Sequence, residues 1–258
     1  MVTRDTAWPA GTPCWVDLGV GDIAQAKAFY SGLFGWDIQD GPPEAGGYRM
    51  CLLDGRAAAG IGPQMGPDEM PPAWTTYIAT QDADETARAI TAAGGQVLVK
   101  PFDVMDAGRM AIAGDPGGAV FGIWQAGAHT GAQVANEPGS LAWNENMSRD
   151  FEGNKAFYHA VFGYDFGDLS SEGFNYATLD LAGRPVGGIG ELDPNFPPEV
   201  PASWSAYFGV TDADAVVAQA AELGGSVVRT VWDSPYGRMA VLADDQGATF
   251  AIVAASAG

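Results

Sequence analysis

The sequence carries one long pattern twice. Phe29-Tyr30, followed by Leu33-Phe34-Gly35-Trp36, returns as Phe157-Tyr158, followed by Val161-Phe162-Gly163-Tyr164. Gly60-Ile61-Gly62 returns as Gly188-Ile189-Gly190, and Asp82-Ala83-Asp84 as Asp212-Ala213-Asp214. Gly108-Arg109-Met110-Ala111 returns as Gly237-Arg238-Met239-Ala240. A period this long is a duplicated domain rather than a solenoid of short units. Any site built in one half should therefore reappear in the other.

The punctuation divides the chain into a first domain over 12–127, a linker over 128–137 rich in Gly, Ala and polar residues, and a second domain over 138–254. Within the first half, Cys14 to Val20 reads as a strand. Asp22 caps a helix that runs to Phe34, with Gln25 at the capping-box position and Gly35 as its stop. Tyr48–Leu53 and Ala57–Ile61 read as a hairpin around Asp54-Gly55. The order then restarts. Trp74–Thr80 is strand-like, Asp82 caps a second helix with Glu85 at the capping-box position, and Gly94-Gly95 end it. Strands follow near Gln96–Lys100, Arg109–Ala113 and Ala119–Trp124. The expected class is α+β. It is a tandem duplicated domain, each half made of two βαβββ units that form a curled mixed sheet with helices outside.

Strand periodicity assigns faces. Val16, Leu18 and Val20 should pack on the helix, leaving Trp15, Asp17 and Gly19 on the concave side. Phe121 and Ile123 should face the helix, and Val120, Gly122 and Trp124 the cleft. The second half offers Trp143, Glu145 and Met147, although Asn144 and Asn146 interrupt its aliphatic alternation.

These motifs in this order resemble the vicinal oxygen chelate superfamily, which includes glyoxalase I, extradiol dioxygenases, fosfomycin-resistance proteins and bleomycin-binding proteins. The residues that carry the resemblance are Val20-Gly21-Asp22 with Phe29-Tyr30 and Phe34-Gly35-Trp36, Asp82-Ala83-Asp84, and Asp115-Pro116-Gly117-Gly118. More narrowly, Trp15-Val16-Asp17-Leu18 and the two Gly-Arg-Met stretches resemble actinobacterial two-domain glyoxalase-like proteins. The resemblance implies metal ligands at three concave positions. These fall on Trp15, Thr76 and Gly122 in the first half, and on Trp143, Ala206 and Ala251 in the second. A further position falls near Met50 or Thr178. Divalent transition metals need imidazole, thiolate or carboxylate donors, and these residues do not supply a set. The chain has only two histidines. His129 lies in the linker and His159 on a helix, and both read as surface residues. No metal and no other cofactor is therefore expected.

Aromatic side chains stand where donors are missing. Trp15, Trp124, Tyr48, Met50 and Thr76 are the expected lining of the first cleft, and Trp143, Tyr176 and Phe208 of the second. Such walls suit a flat apolar ligand, or simply fill the barrel. One carboxylate per half, Asp17 and Glu145, shares that face. Desolvation would raise its pKa and fit it for proton transfer. The alternative is a structural pairing with an Arg or a backbone N–H. Arg109 and Arg238 are the repeated cations, suited either to that pairing or to a developing oxyanion. Tyr77 and Tyr207 are assigned to the helix face by parity. The loops Pro63–Pro72 and Glu191–Pro201 are candidate lids beside the cleft mouths. The two glycine clusters lack a phosphate-loop pattern and read as sites of close strand approach.

The net charge of −20, from 32 acidic and 12 basic residues, argues against nucleic acid and anionic membrane surfaces as partners. Cys14 and Cys51 have no counterparts in the second half, so they read as small buried hydrophobes of a reducing compartment. No apolar leader or spanning segment is legible, and the expected location is cytoplasmic. The reading is a metal-independent protein holding an aromatic or polyketide-like small molecule, with acid–base tailoring or detoxification at Asp17 and Glu145. The alternative is a metal-dependent glyoxalase or dioxygenase. Duplication provides internally the pairing that single-domain relatives reach by dimerising, so a monomer is expected.

Overall fold

A computed structural model describes residues 2–64 and 71–255. The first half forms an eight-stranded sheet. Its order runs from Asp37–Asp40 through Arg49–Leu53, Arg56–Pro63 and Pro13–Val20. It continues through Ala73–Thr80, Val120–Ala126 and Gly108–Gly114 to Gln96–Val104. The second half repeats that order, from Asp165–Asp168 through Leu141–Ser148 and Ser203–Gly209 to Ser226–Ser234. Two short strands, Val2–Thr3 and Val134–Ala135, extend the second sheet to ten. The expected Asp54-Gly55 hairpin is present. Both turn residues have positive φ, 50° and 77°, the geometry whose twist matches the flanking strands. Ala182-Gly183 does the same in the second half, at 49° and 73°.

Four helices cover the convex faces: α1 (Ile23–Phe34), α2 (Ala83–Ala92), α3 (Phe151–Phe162) and α4 (Ala213–Glu222). Each starts at an Asp whose carboxylate accepts the N–H three residues on, the N-cap that the sequence signals. The capping boxes close differently from expectation. Gln246, from the other half, accepts the Asp22 N–H at 2.9 Å in place of Gln25. Thr80 accepts the Asp82 N–H at 3.2 Å in place of Glu85.

The helices lie outside each curled sheet yet inside the molecule. One core joins Phe29, Tyr30 and Phe34 of α1 to Phe208, Phe250 and Ile252 of the second half. Another joins Ile90 of α2 and Phe121 to Phe157 and Tyr158 of α3. The two convex faces are thus buried against each other, and the two concave faces look outward. Each fully buried Phe or Ile contributes roughly 1.5–3 kcal/mol relative to exposure.

The repeated Phe-Tyr and Asp-turn motifs meet across this boundary. Tyr158 Oη donates to Asp115 Oδ2 at 2.9 Å, and the Asn146 and Asn154 amides donate to the same oxygen at 3.0 Å. Tyr30 Oη donates to Asp244 Oδ2 at 3.0 Å in the mirror arrangement. Asn144 accepts from Thr76 Oγ1 at 2.9 Å. The asparagines that break the aliphatic alternation of that strand are therefore interface groups with partners.

Trp74 and Trp204, which follow the two candidate lid loops, belong to this interior. Their indole N–H groups donate to Tyr30 and Tyr158 at 3.0 and 2.7 Å. Residues 65–70 of the first candidate lid lie outside the described residues. Cys14 and Cys51 are buried and free, with burial pushing both thiols up. No helix among the described residues is long and apolar enough to cross a membrane.

Candidate functional site

Parity on Pro13–Val20 holds. Val16 and Leu18 are fully buried on the convex side, which turns Trp15 and Asp17 to the concave face. Trp15 is paired laterally with Tyr77, and Tyr77 with Gly122. The second half shows the same row as Trp143, Tyr207 and Ala251.

A hydrogen-bonded set occupies this face in each half. Trp15 Nε1 donates to Tyr48 Oη at 2.9 Å, and Tyr48 Oη donates to Asp17 Oδ2 at 3.3 Å. Tyr77 donates to the same carboxylate. In the second half Trp143 Nε1 donates to Tyr176 Oη at 3.1 Å, and Tyr207 Oη donates to Glu145 Oε2 at 2.8 Å. Tyr176 is the second phenol on Glu145. The glycine clusters make this possible. A Cβ at Gly60 would stand 1.8 Å from Tyr48 Oη, and one at Gly188 would stand 1.9 Å from Tyr176 Oη. The bare backbone lets each tyrosine lie flat along its strand and reach the carboxylate.

Burial among rings pushes Asp17 up to about 7, against the opposing pull of the Tyr77 and Tyr48 hydroxyls. Glu145 is raised by the same cause. It is opposed by Tyr207 and Tyr176 and, more weakly, by the Arg229 charge. Asp17 is thus able to exchange a proton near neutrality, and Glu145 is displaced in the same direction. The two flanking phenols are themselves raised, so they stay protonated as donors.

The expected site residues divide. Trp15, Asp17, Tyr48, Met50 and Trp124 share the first concave face, and Trp143, Glu145 and Tyr176 share the second. Thr76 and Phe208 do not. Thr76 bonds Asn144 across the domain boundary, and Phe208 packs on Phe34, Trp36 and Trp74. Tyr77 and Tyr207 take the concave places instead, reversing their assignment. Both faces of these central strands are buried, so neither polarity nor periodicity marks the cleft side. Arg109 and Arg238 are held at the surface, by Asp84 with Asp103 and by Asp214 with Asp233. They therefore neither pair with Asp17 and Glu145, as expected of a structural role, nor stand on the concave face to meet an oxyanion.

His129 corrects another expectation. It is inserted between tryptophans, its ring centroid 4.4 Å from Trp15 and 5.5 Å from Trp124. Burial pushes it down to about 4. No sequence signal marked this insertion. His159 is exposed on α3, with Nδ1 2.8 Å from the Tyr164 carbonyl oxygen.

The donor set does not fit a divalent metal. Of the positions marked for ligands, Thr76 and Ala206 face the domain boundary, and the concave row that remains presents an indole, a phenol and a glycine or alanine, with a single carboxylate beside it. Among the described residues, no three His, Cys, Asp or Glu side chains are grouped to hold an ion. Two cavities, of about 280 and 220 Å³, flank Trp8 and include neither carboxylate.

Comparison with known proteins agrees with the duplication. Residues 14–123 match the model of the Glyoxalase/Bleomycin resistance protein/Dioxygenase superfamily, and residues 129–253 match that of a glyoxalase-like domain. The chain is 45% identical over 249 residues to "Putative glyoxylase CFP32" of Mycobacterium bovis, covering 94% of each chain. It is 38% identical over 264 residues to "Anthracycline biosynthesis protein DauV" of a Streptomyces species, covering 96% of this chain and 94% of that one. Among solved structures it resembles the Mn(II)-bound glyoxalase from Novosphingobium aromaticivorans. The TM-score is 0.66 at 14% identity, over 94% of this chain and 81% of that one, a likeness of fold.

Proposed function

This chain belongs to the Glyoxalase/Bleomycin resistance protein/Dioxygenase superfamily, and from that premise we propose that it binds a flat aromatic or polyketide-like molecule without a metal and moves a proton on it. One observation carries the reading. In both halves one of the positions that the resemblance marks for a metal ligand is a tryptophan, Trp15 or Trp143, and that tryptophan joins a tryptophan–tyrosine–carboxyl–tyrosine set on the concave face. Duplicates that diverge freely do not keep four interlocked side chains twice by accident. A relative that covers nearly the whole chain is named for anthracycline biosynthesis, which supports a fused-ring, hydroxylated ligand.

The chemistry follows from the geometry. The carboxylate accepts a proton from a C–H beside a ligand carbonyl, and the electron pair moves to the carbonyl oxygen. A flanking phenol O–H then stabilises the enolate by hydrogen bonding. Reversal returns the proton at the same or another carbon, so no oxidant is consumed. The convex faces are already buried against each other, which supports a monomer.

Two measurements test the reading together. Protein purified without chelators is assayed for metals, and its tryptophan fluorescence is titrated with hydroxylated anthraquinones. Expected are substoichiometric metal and quenching that saturates. Stoichiometric Mn, Fe, Ni or Zn, lost on Asp17→Asn or Glu145→Gln, overturns metal independence.

A further inference from the structure

Among the described residues, the two clefts are built alike but are not equally covered. In the first, His129 fills the space between Trp15 and Trp124, and its own carbonyl accepts the Trp124 indole N–H at 3.0 Å. Trp15, Tyr77 and Trp124 are left 3%, 4% and 6% exposed. The lateral row Phe102–Met110–Trp124 therefore ends under a plug.

The matching row in the second half is Trp232–Met239–Val253. A valine replaces the tryptophan nearest the centre, and Trp143, Met239 and Val253 are half-buried where Trp15, Met110 and Trp124 are sealed, while Glu145 and Tyr176 are half-buried as Asp17 and Tyr48 are. The bulk has moved to the rim. Trp232 stands at the edge with the Arg229 guanidinium 3.8 Å above its ring. Phe174 stacks on Tyr176 at 5.7 Å with 20° between planes, and is 42% exposed. Tyr236, close enough to Tyr176 to act on its ionisation, is 58% exposed. The first-half counterparts of Arg229, Trp232 and Phe174 are Val99, Phe102 and Gly46.

The exposed rings of Phe174 and Tyr236 at this rim leave apolar surface in water that a flat ligand would cover. Arg229 adds the charge that such a ligand would need. Among the described residues it makes no ion pair with a carboxylate, whereas Arg238 on the neighbouring strand is held by two. A guanidinium stacked on an indole is held in place, with its N–H edge free to meet an anionic oxygen.

We infer that the second cleft alone is the working site, and that Arg229, Trp232 and Tyr236 select planar aromatic ligands bearing an acidic hydroxyl. The inference rests on the proposed function and adds which half binds, and what chemistry it recognises. The ring system lies between Trp143 and Trp232, its ionised hydroxyl on Arg229 and its carbonyl side toward Glu145. The first cleft keeps the same polar set as an internal support, closed by the linker.

The test is a fluorescence titration of the full chain with 1,2-dihydroxyanthraquinone, whose 2-hydroxyl is acidic, and with unsubstituted anthraquinone for comparison. Expected is one equivalent bound per chain. Arg229→Ala and Tyr236→Ala should each weaken binding of the dihydroxy compound by about tenfold. Arg229→Ala should leave the unsubstituted compound unaffected. Val99→Ala and Phe102→Ala, the first-half counterparts, should change neither. Because Tyr236 and Arg229 are exposed, loss of binding there is not loss of folding. Circular dichroism of each variant checks this. Saturable binding that survives both second-half substitutions but falls with Val99→Ala or Phe102→Ala overturns the assignment and leaves the proposed function standing. No saturation by either compound overturns both.

Discussion

At the residue scale the carboxyl–phenol sets decide the chemistry, and they are sensitive to single atoms. Gly60 has no room for a methyl group beneath Tyr48. Gly60→Ala should displace that ring, break the Trp15–Tyr48–Asp17 chain and cost about 1–3 kcal/mol as overpacking. Urea unfolding monitored by tryptophan emission measures it, and an unchanged midpoint would contradict the contact. Asp17 gives a pH signature. Its carboxyl rises from 3.8 to about 7 on folding, so the native state holds a proton that the unfolded chain has already released. That contribution to stability is complete below about pH 4 and is lost as pH rises through about 7. Asp17→Asn removes the titration, so the Tm of the variant should fall less than that of the wild type between those limits. Parallel Tm curves would show that Asp17 is not desolvated. Asp17 and Glu145 were legible because strand parity isolates one acid per half on an otherwise aromatic face. Tyr77 and Tyr207 were not, because a strand buried on both sides carries no contrast between its faces.

At the scale of elements, helices and turns from different halves clasp one another. Tyr158 of α3 joins Asp115, on the last turn of the first half, to the Trp204 indole. Tyr158→Phe leaves both buried partners short of a bond and should cost about 1–3 kcal/mol. A double-mutant cycle with Asp115→Asn should show non-additivity, since the residues share one network. Strict additivity in urea unfolding would mean that the contact is not formed in solution. The Phe-Tyr repeat and the Asp115-Pro116-Gly117 turn were visible in the sequence, but their meaning lay in the pairing of one half's helix with the other's turn. Sequence spacing of this length does not specify a partner. The capping boxes teach the same lesson: Asp22 as a cap was local and legible, whereas Gln246 reaches it only through the tertiary fold.

At the scale of the whole molecule, two sheets share their interiors through the helices between them. Each core draws side chains from both halves, so neither half can unfold without exposing the other. A single transition is expected, with far-ultraviolet and near-ultraviolet dichroism coincident at every urea concentration. Two resolved transitions would show that the halves are independent. Duplication, element order, caps and hairpin turns were determined by the sequence alone, because each rests on local periodicity or on a residue with a restricted backbone. The concave places of Trp15, Asp17, Trp143 and Glu145 followed from the same two-residue period. The tertiary structure alone decided that the convex faces meet, that His129 closes the first cleft, and that Tyr77 rather than Thr76 takes the concave face. Those outcomes depend on which surfaces exclude water together, and no stretch of neighbouring residues encodes that by itself.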